Sequence, residues 1–134
     1  MRLKNKLLRD VMTRGVVTVP LDATAKQIAA MLNKHALSGA AVIGREGEAM
    51  GFISYMDILK IIGKENWENL HAESIMTSNL ETIEPTSTIG EAANIMREKH
   101  IHRLLVLSES GVGVSKRPVG ILSASDIVRE AANE

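Results

Sequence analysis

Cysteine is absent from these 134 residues, which excludes disulfide staples, thiolate-bound metals and thiol nucleophiles. That absence fits a reducing compartment, and a cytoplasmic location is the expectation. Aromatic residues are almost missing as well, with one Phe, one Tyr and one Trp. Base-stacking recognition of RNA or single-stranded DNA is therefore not expected, and the core has to be Leu, Ile, Val, Met and Ala. Neither sign of charge dominates: 16 basic residues face 16 acidic ones. No global field draws the chain to nucleic acid or to an anionic membrane. No apolar run is long enough to span a bilayer, so no membrane insertion is expected. The basic first ten residues lack the apolar stretch and cleavage site of a secretory signal. Leu3, Leu7, Leu8 and Val11 would share one helical face, which predicts a short helix packed on the first half of the chain.

What is present is one phrase written twice. Gly51-Phe-Ile-Ser-Tyr-Met-Asp-Ile-Leu59 returns as Gly120-Ile-Leu-Ser-Ala-Ser-Asp-Ile-Val128. Around it Val11-Met12-Thr13 returns as Ile75-Met76-Thr77, and Thr24-x-x-Gln27 as Thr88-x-x-Glu91. Met12 to Met76 and Thr24 to Thr88 each span 64 positions, whereas Gly51 to Gly120 spans 69. The second copy thus carries five extra residues just before its signature. The chain is a duplicated unit, each half too small to bury a good core alone.

Each half reads strand, helix, strand, strand, helix, an α+β pattern. In the first, a strand over Gly15–Val19 stops at Pro20, and a Thr24/Gln27 capping box opens a helix. The strands Ala40–Ile43 and Met50–Ile53 form a hairpin, and Ser54-x-x-Asp57 begins a second helix. Lys64–Ser74 reads as a polar connector with Trp67 as its packing anchor. The second half places strands at Leu80–Ile83, Leu104–Leu107 and Val119–Leu122, with helices opening at Thr88 and Ser123. The repeats account for 8–63 and 72–132, leaving no room within these residues for a separate catalytic or DNA-binding domain.

Ser as N-cap and Asp in the first turn stabilise a helix start by roughly 1 kcal/mol, which is reason enough for both Ser-x-x-Asp pairs. A cap, however, needs neither the preceding Gly nor a strand-to-helix junction. A helix start after a strand presents backbone N–H groups to an anion, and its carboxylate can accept two hydrogen bonds from a vicinal diol such as a ribose. His100-x-His102 lacks the further ligands of a metal site. Arg103, just before a strand, is either a surface cation or a bidentate phosphate contact. Gly111–Lys116 lacks P-loop spacing and reads as a long hairpin turn. No nucleophile, base and orienting group stand in a recognisable arrangement, so the chain is not expected to be an enzyme.

The duplicated set of Met-Thr openings and Gly-φ-φ-Ser-x-x-Asp-φ-φ endings (φ being apolar) resembles a tandem pair of CBS (cystathionine-β-synthase) domains over about residues 8 to 132. The resemblance implies a pseudo-two-fold pair whose sheets pack together with two clefts. It implies a regulatory adenosine-ligand sensor for AMP, ADP, ATP or S-adenosylmethionine, with no obligatory cofactor, acting on a partner enzyme or transporter. By the same resemblance Asp126 would hold the ribose, with Ser123 and Ser125 near ribose and phosphate and His102-Arg103 on the phosphate. Val17 and Leu37 would line the base pocket, with Thr13 nearby. A second nucleotide position would use Asp57, Ser54, Gly39 and Ile101, and there Ser38-Gly39 stands where the other copy has His102-Arg103. The alternative is a ligand-free interaction module on the same scaffold. A homodimer is expected, because Ile58, Leu59, Ile62, Ile127 and Val128 are more apolar surface than so small a pair needs internally.

Overall fold

Two threonine caps fix where the first helix of each repeat starts. Thr24 Oγ1 accepts the Gln27 N–H at 3.2 Å while the Gln27 side chain accepts the Thr24 N–H at 2.9 Å. Thr88 accepts the Glu91 N–H at 3.2 Å in the same way. The computed structural model describes residues 2–108 and 116–134 and divides into two compact units. The Gly111–Lys116 turn, apart from Lys116, lies outside the described residues. One unit, here called central, is Val17–Leu80; the other, called terminal, joins Met1–Val16 to Glu81–Glu134. The units are therefore not the two sequence repeats: the opening of the first repeat belongs with the body of the second.

In the central unit β2 (Thr18–Pro20) runs parallel to β3 (Gly39–Ile43), which pairs antiparallel with β4 (Ala49–Ser54). Pro20 is the last residue of β2 rather than its stop, a place an edge strand tolerates. The helix α1 (Ala25–Lys34) makes the crossover, and α2 (Tyr55–Ile61) follows β4 directly. Ile28, Leu32, Val42, Ile53 and Ile61 form the core. The expected polar connector is ordered structure instead. A 3-10 turn at Trp67–Asn69 and the short α3 (Ala72–Ile75) are tied back by Ala25 N–H to Leu70 O at 2.7 Å and Ala72 N–H to Ala23 O at 2.8 Å. Trp67 packs against the core, as expected.

The terminal unit has a four-stranded sheet in the order β1 (Thr13–Arg14), β7 (Pro118–Ser123), β6 (Arg103–Leu107), β5 (Thr82–Ile83). Its helices are α4 (Ile89–Lys99) and α5 (Ala124–Ala132). The N-terminal segment corrects the sequence reading twice. It forms two 3-10 turns, Leu3–Asn5 and Leu8–Asp10, not one helix. It also packs with the second repeat, where Leu8 is fully buried among Ile83, Ile89, Leu104 and Leu122. Three backbone bonds explain why: Leu8 N–H to Ser87 O at 2.9 Å, Arg9 N–H to Pro85 O at 3.0 Å, and Ile89 N–H to Lys6 O at 2.8 Å. Pairing with 85–89 satisfies groups that a free helix would have had to satisfy within itself. The Lys6 ammonium meets Glu130 at 2.7 Å and Glu134 at 3.1 Å. These hydrogen bonds, Glu130 first, hold its pKa above the ordinary value.

The signature glycines are demanded by close approach. A Cβ at Gly120 would lie 2.6 Å from the Thr13 carbonyl oxygen, and one at Gly51 would lie 2.5 Å from Met76 Sδ and 3.0 Å from Thr77 O. At Gly51 the two nearest atoms, Sδ and Cγ, belong to the Met76 side chain, which can rotate in part, whereas at Gly120 the nearest is backbone. Gly120→Ala should therefore destabilise by about 1–3 kcal/mol, and Gly51→Ala by less, measured as shifts in urea midpoint at constant slope. Equal losses, or the reverse order, would contradict this packing.

Candidate functional site

The two signature phrases build the same corner in the two units. In the terminal unit β7 ends at Ser123 and α5 begins at once, its first N–H (Ala124) donating to the His102 carbonyl at 2.8 Å. In the central unit the Tyr55 N–H donates to the Ser38 carbonyl at 3.0 Å. Each turn thus has its first helical amide satisfied by the residue just before the neighbouring strand. The aspartate three residues after each serine then folds back. Asp126 Oδ2 accepts the Ser123 N–H at 2.9 Å, and Asp57 Oδ2 accepts the Ser54 N–H at 2.8 Å. Both carboxylates are only 7% exposed, and they are the buried charged residues among those described.

Their remaining contacts differ. Ser123 Oγ accepts the Asp126 N–H at 3.1 Å and lies 2.8 Å from Ser125 Oγ. Asp126 Oδ1 is met by the Arg129 guanidinium, one turn along α5. Asp57 Oδ1 instead accepts the Thr77 hydroxyl at 3.4 Å, while the Ser54 hydroxyl donates to Oδ2 at 3.3 Å. Neither Arg129 nor Thr77 was expected as a site residue, although Thr77 belongs to the repeated Met-Thr motif. Arg129 was discoverable from its i+3 spacing to Asp126, and Thr77 from its repeat equivalence to Thr13.

Six of the residues expected around the first adenosine position gather at the end of β7 in the terminal unit. Arg103 is paired in register with Ser123, Thr13 with Ile121, and exposed His102 supplies the carbonyl already described. Ser125 is exposed beside Ser123. Val17 and Leu37 belong to the central unit, where both are half-buried against its core. Of the second set, Ser54, Asp57 and Gly39 share the central unit, with Gly39 opposite Ser54. Ile101 packs on the core of the terminal unit, just after His100 ends α4 at φ 54°. Gly39 has a steric reason for not being an arginine: a Cβ there would lie 2.4 Å from the Phe52 ring.

A buried carboxylate with one oxygen locked by backbone and the other turned to polar groups can accept paired hydroxyls. Among the described residues there is no cluster of three His, Asp or Glu able to hold a metal ion. No helix among them is long and apolar enough to cross a membrane.

Two sheet-and-helix units whose repeats each close in a strand, a tight serine corner and a helix carrying a buried aspartate define a duplicated α+β module. The chain belongs to the CBS domain family, whose profile matches residues 8–64 and 72–133. The protein MK0525 of Methanopyrus kandleri is 26% identical over 122 residues, covering 90% of this chain. This chain spans 60% of that relative's length, and about a quarter of several matched enzymes. Among solved structures, the CBS domain pair of protein MJ0100, in complex with 5′-methylthioadenosine and S-adenosyl-L-methionine, superposes with a TM-score of 0.81. It is 24% identical and covers 96% of this chain and 97% of its own. CBSX2 in complex with AMP gives a TM-score of 0.78 at 22% identity, covering 95% of this chain and 96% of its own.

Proposed function

We propose that this chain is a regulatory module that binds an adenosine-containing ligand and thereby controls a partner protein, an enzyme or a transporter. The observation that carries the reading is the Ser123–Asp126 corner, where a buried carboxylate stands beside two hydroxyls and a strand bearing Arg103. In this reading Asp126 accepts the ribose hydroxyls, Ser123 and Ser125 flank ribose and phosphate, and His102 and Arg103 face the phosphate. Thr13, in the same unit, stands nearby. Asp57, Ser54 and Gly39 of the central unit serve a second, unequal position. The ligand class is AMP, ADP, ATP or S-adenosylmethionine, in keeping with the AMP held by CBSX2 and the S-adenosyl-L-methionine held by the MJ0100 pair. The reading assigns the chain no reaction of its own and no obligatory cofactor. A reducing, cytoplasmic setting suits the cysteine-free composition.

A second copy of the chain is the partner proposed for α2. Tyr55, Met56, Leu59 and Ile62 are all exposed and recur at helical spacing along one face. Of the apolar residues expected to serve this role, Ile58 is instead in the central core and Ile127 is half-buried, while Leu59, Ile62 and Val128 are exposed. A dimer should sediment at tens of micromolar, and Leu59→Lys should shift it towards monomer. A clean monomer in the native protein would end this proposal.

The nucleotide reading is tested at Asp126. A pure cap loses about 1 kcal/mol of stability or less in Asp126→Asn and leaves ligands alone. A ribose acceptor loses a charged hydrogen-bond acceptor, weakening AMP binding by roughly 1.5–3 kcal/mol, on the order of tenfold to a hundredfold. 2′-Deoxy-AMP should bind the native protein less well and lose little more on the variant, since both changes delete one contact. Additive losses in calorimetric titration would return Asp126 to a cap.

A further inference from the structure

Both oxygens of the Asp126 carboxylate already have a partner in the structure. Its Oδ2 is fixed by the Ser123 N–H, and its Oδ1 carries the Arg129 guanidinium. The pair is lopsided: the Arg129 side chain is 65% exposed, the Asp126 side chain 8%. An exposed guanidinium released from its partner is promptly solvated and loses little. A buried carboxylate stripped of its partner has no water to replace it, so the partner must be exchanged and cannot simply be lost. Two hydroxyls of a vicinal diol are such a replacement, since they donate to the same acceptor. The repeat-related carboxylate is arranged otherwise. Asp57 Oδ1 takes the neutral Thr77 hydroxyl at 3.4 Å, and among the described residues Asp57 forms no ion pair.

We propose that Arg129 is an internal competitor for the Asp126 carboxylate, so that diol binding and the Arg129–Asp126 pair exclude one another. Arg129 thereby sets the affinity of this position, while Asp57 is open to a diol without displacing a cation. The inference rests on the ribose-accepting reading of Asp126 and adds to it a residue that opposes the ligand. Because the competitor is charged and the diol is not, salt acts on the two unequally. Salt competes for the exposed guanidinium and so weakens the ion pair, modestly because its carboxylate is buried, while it leaves the hydroxyl contacts largely untouched.

The probe is neutral adenosine, which avoids any contribution of Arg129 to a phosphate, with 2′,3′-dideoxyadenosine as the control. Arg129→Gln should bind adenosine roughly two- to fivefold more tightly than the native protein, the scale of an ion pair whose cation is solvent-exposed. The dideoxy compound, which cannot claim the carboxylate, should bind both proteins alike. In the native protein adenosine affinity should rise between about 0.02 M and about 0.5 M NaCl, and in the variant it should stay flat. The salt series on the native protein stands even if the variant folds poorly. Unchanged or weaker adenosine binding in a folded Arg129→Gln, or native affinity that falls with salt, would overturn the competitor alone. A native protein that binds neither adenosine nor AMP would remove the ribose reading, and this inference with it.

Discussion

The Thr13 carbonyl lies where a side chain on residue 120 would have to begin, and Met76 and Thr77 lie likewise over residue 51. This close approach of a Met-Thr segment to a signature glycine is the contact on which much of the rest depends. It sets β1 on β7 with Thr13 opposite Ile121 and Arg14 opposite Gly120. In the central unit it sets Thr77 beside Phe52, with both backbone bonds made at 2.9 and 3.0 Å. A larger residue at Gly120 would push the Thr13 backbone off the sheet, and one too large for Met76 to yield to at Gly51 would push Thr77 away. The Thr77 hydroxyl would then leave Asp57, because it is carried there by the same segment. Packing and site are thus one feature of the chain.

The buried aspartates join the same two levels. Each caps its helix through the serine amide, a local interaction that would exist in any helix so started. Each also leaves an oxygen directed at a group elsewhere in its unit, Thr77 for Asp57 and Arg129 for Asp126. Burial makes that second oxygen consequential, because a desolvated carboxylate has to be partnered. The same residue can therefore serve the fold through one oxygen and a ligand through the other, and no conflict arises between the roles.

The helices and hairpins were legible in the sequence because their determinants are local. Thr24/Gln27 and Ser123/Asp126 are complete capping boxes, and each needs only four consecutive residues. The 64-residue offset marked the repeat without any structural knowledge. The N-terminal segment was not legible, since Leu3, Leu7, Leu8 and Val11 fit a helical stripe equally well. What decided it was backbone pairing with residues some eighty positions away, on which periodicity is silent. The signature glycines were read as a hint of ligand chemistry, yet a packing cause suffices for both. For the candidate site, Ser54, Asp57, Ser123 and Asp126 could be named from the phrase itself. Of the contacts that distinguish the two aspartates, Arg129 lies within one turn of Asp126, whereas Thr77 reaches Asp57 from twenty residues away and only the fold shows that they meet.

The opening segment is an integral part of the terminal unit, packed and hydrogen-bonded as firmly as its sheet. Native-state hydrogen exchange tests it directly at the amides of Leu8, Arg9 and Gly15, which donate to Ser87, Pro85 and Val119. These protons should exchange only through the global opening that releases the β6 amides, with the same protection and the same dependence on added denaturant. Exchange at the rate of a loose terminus, while the β6 amides stay protected, would contradict it.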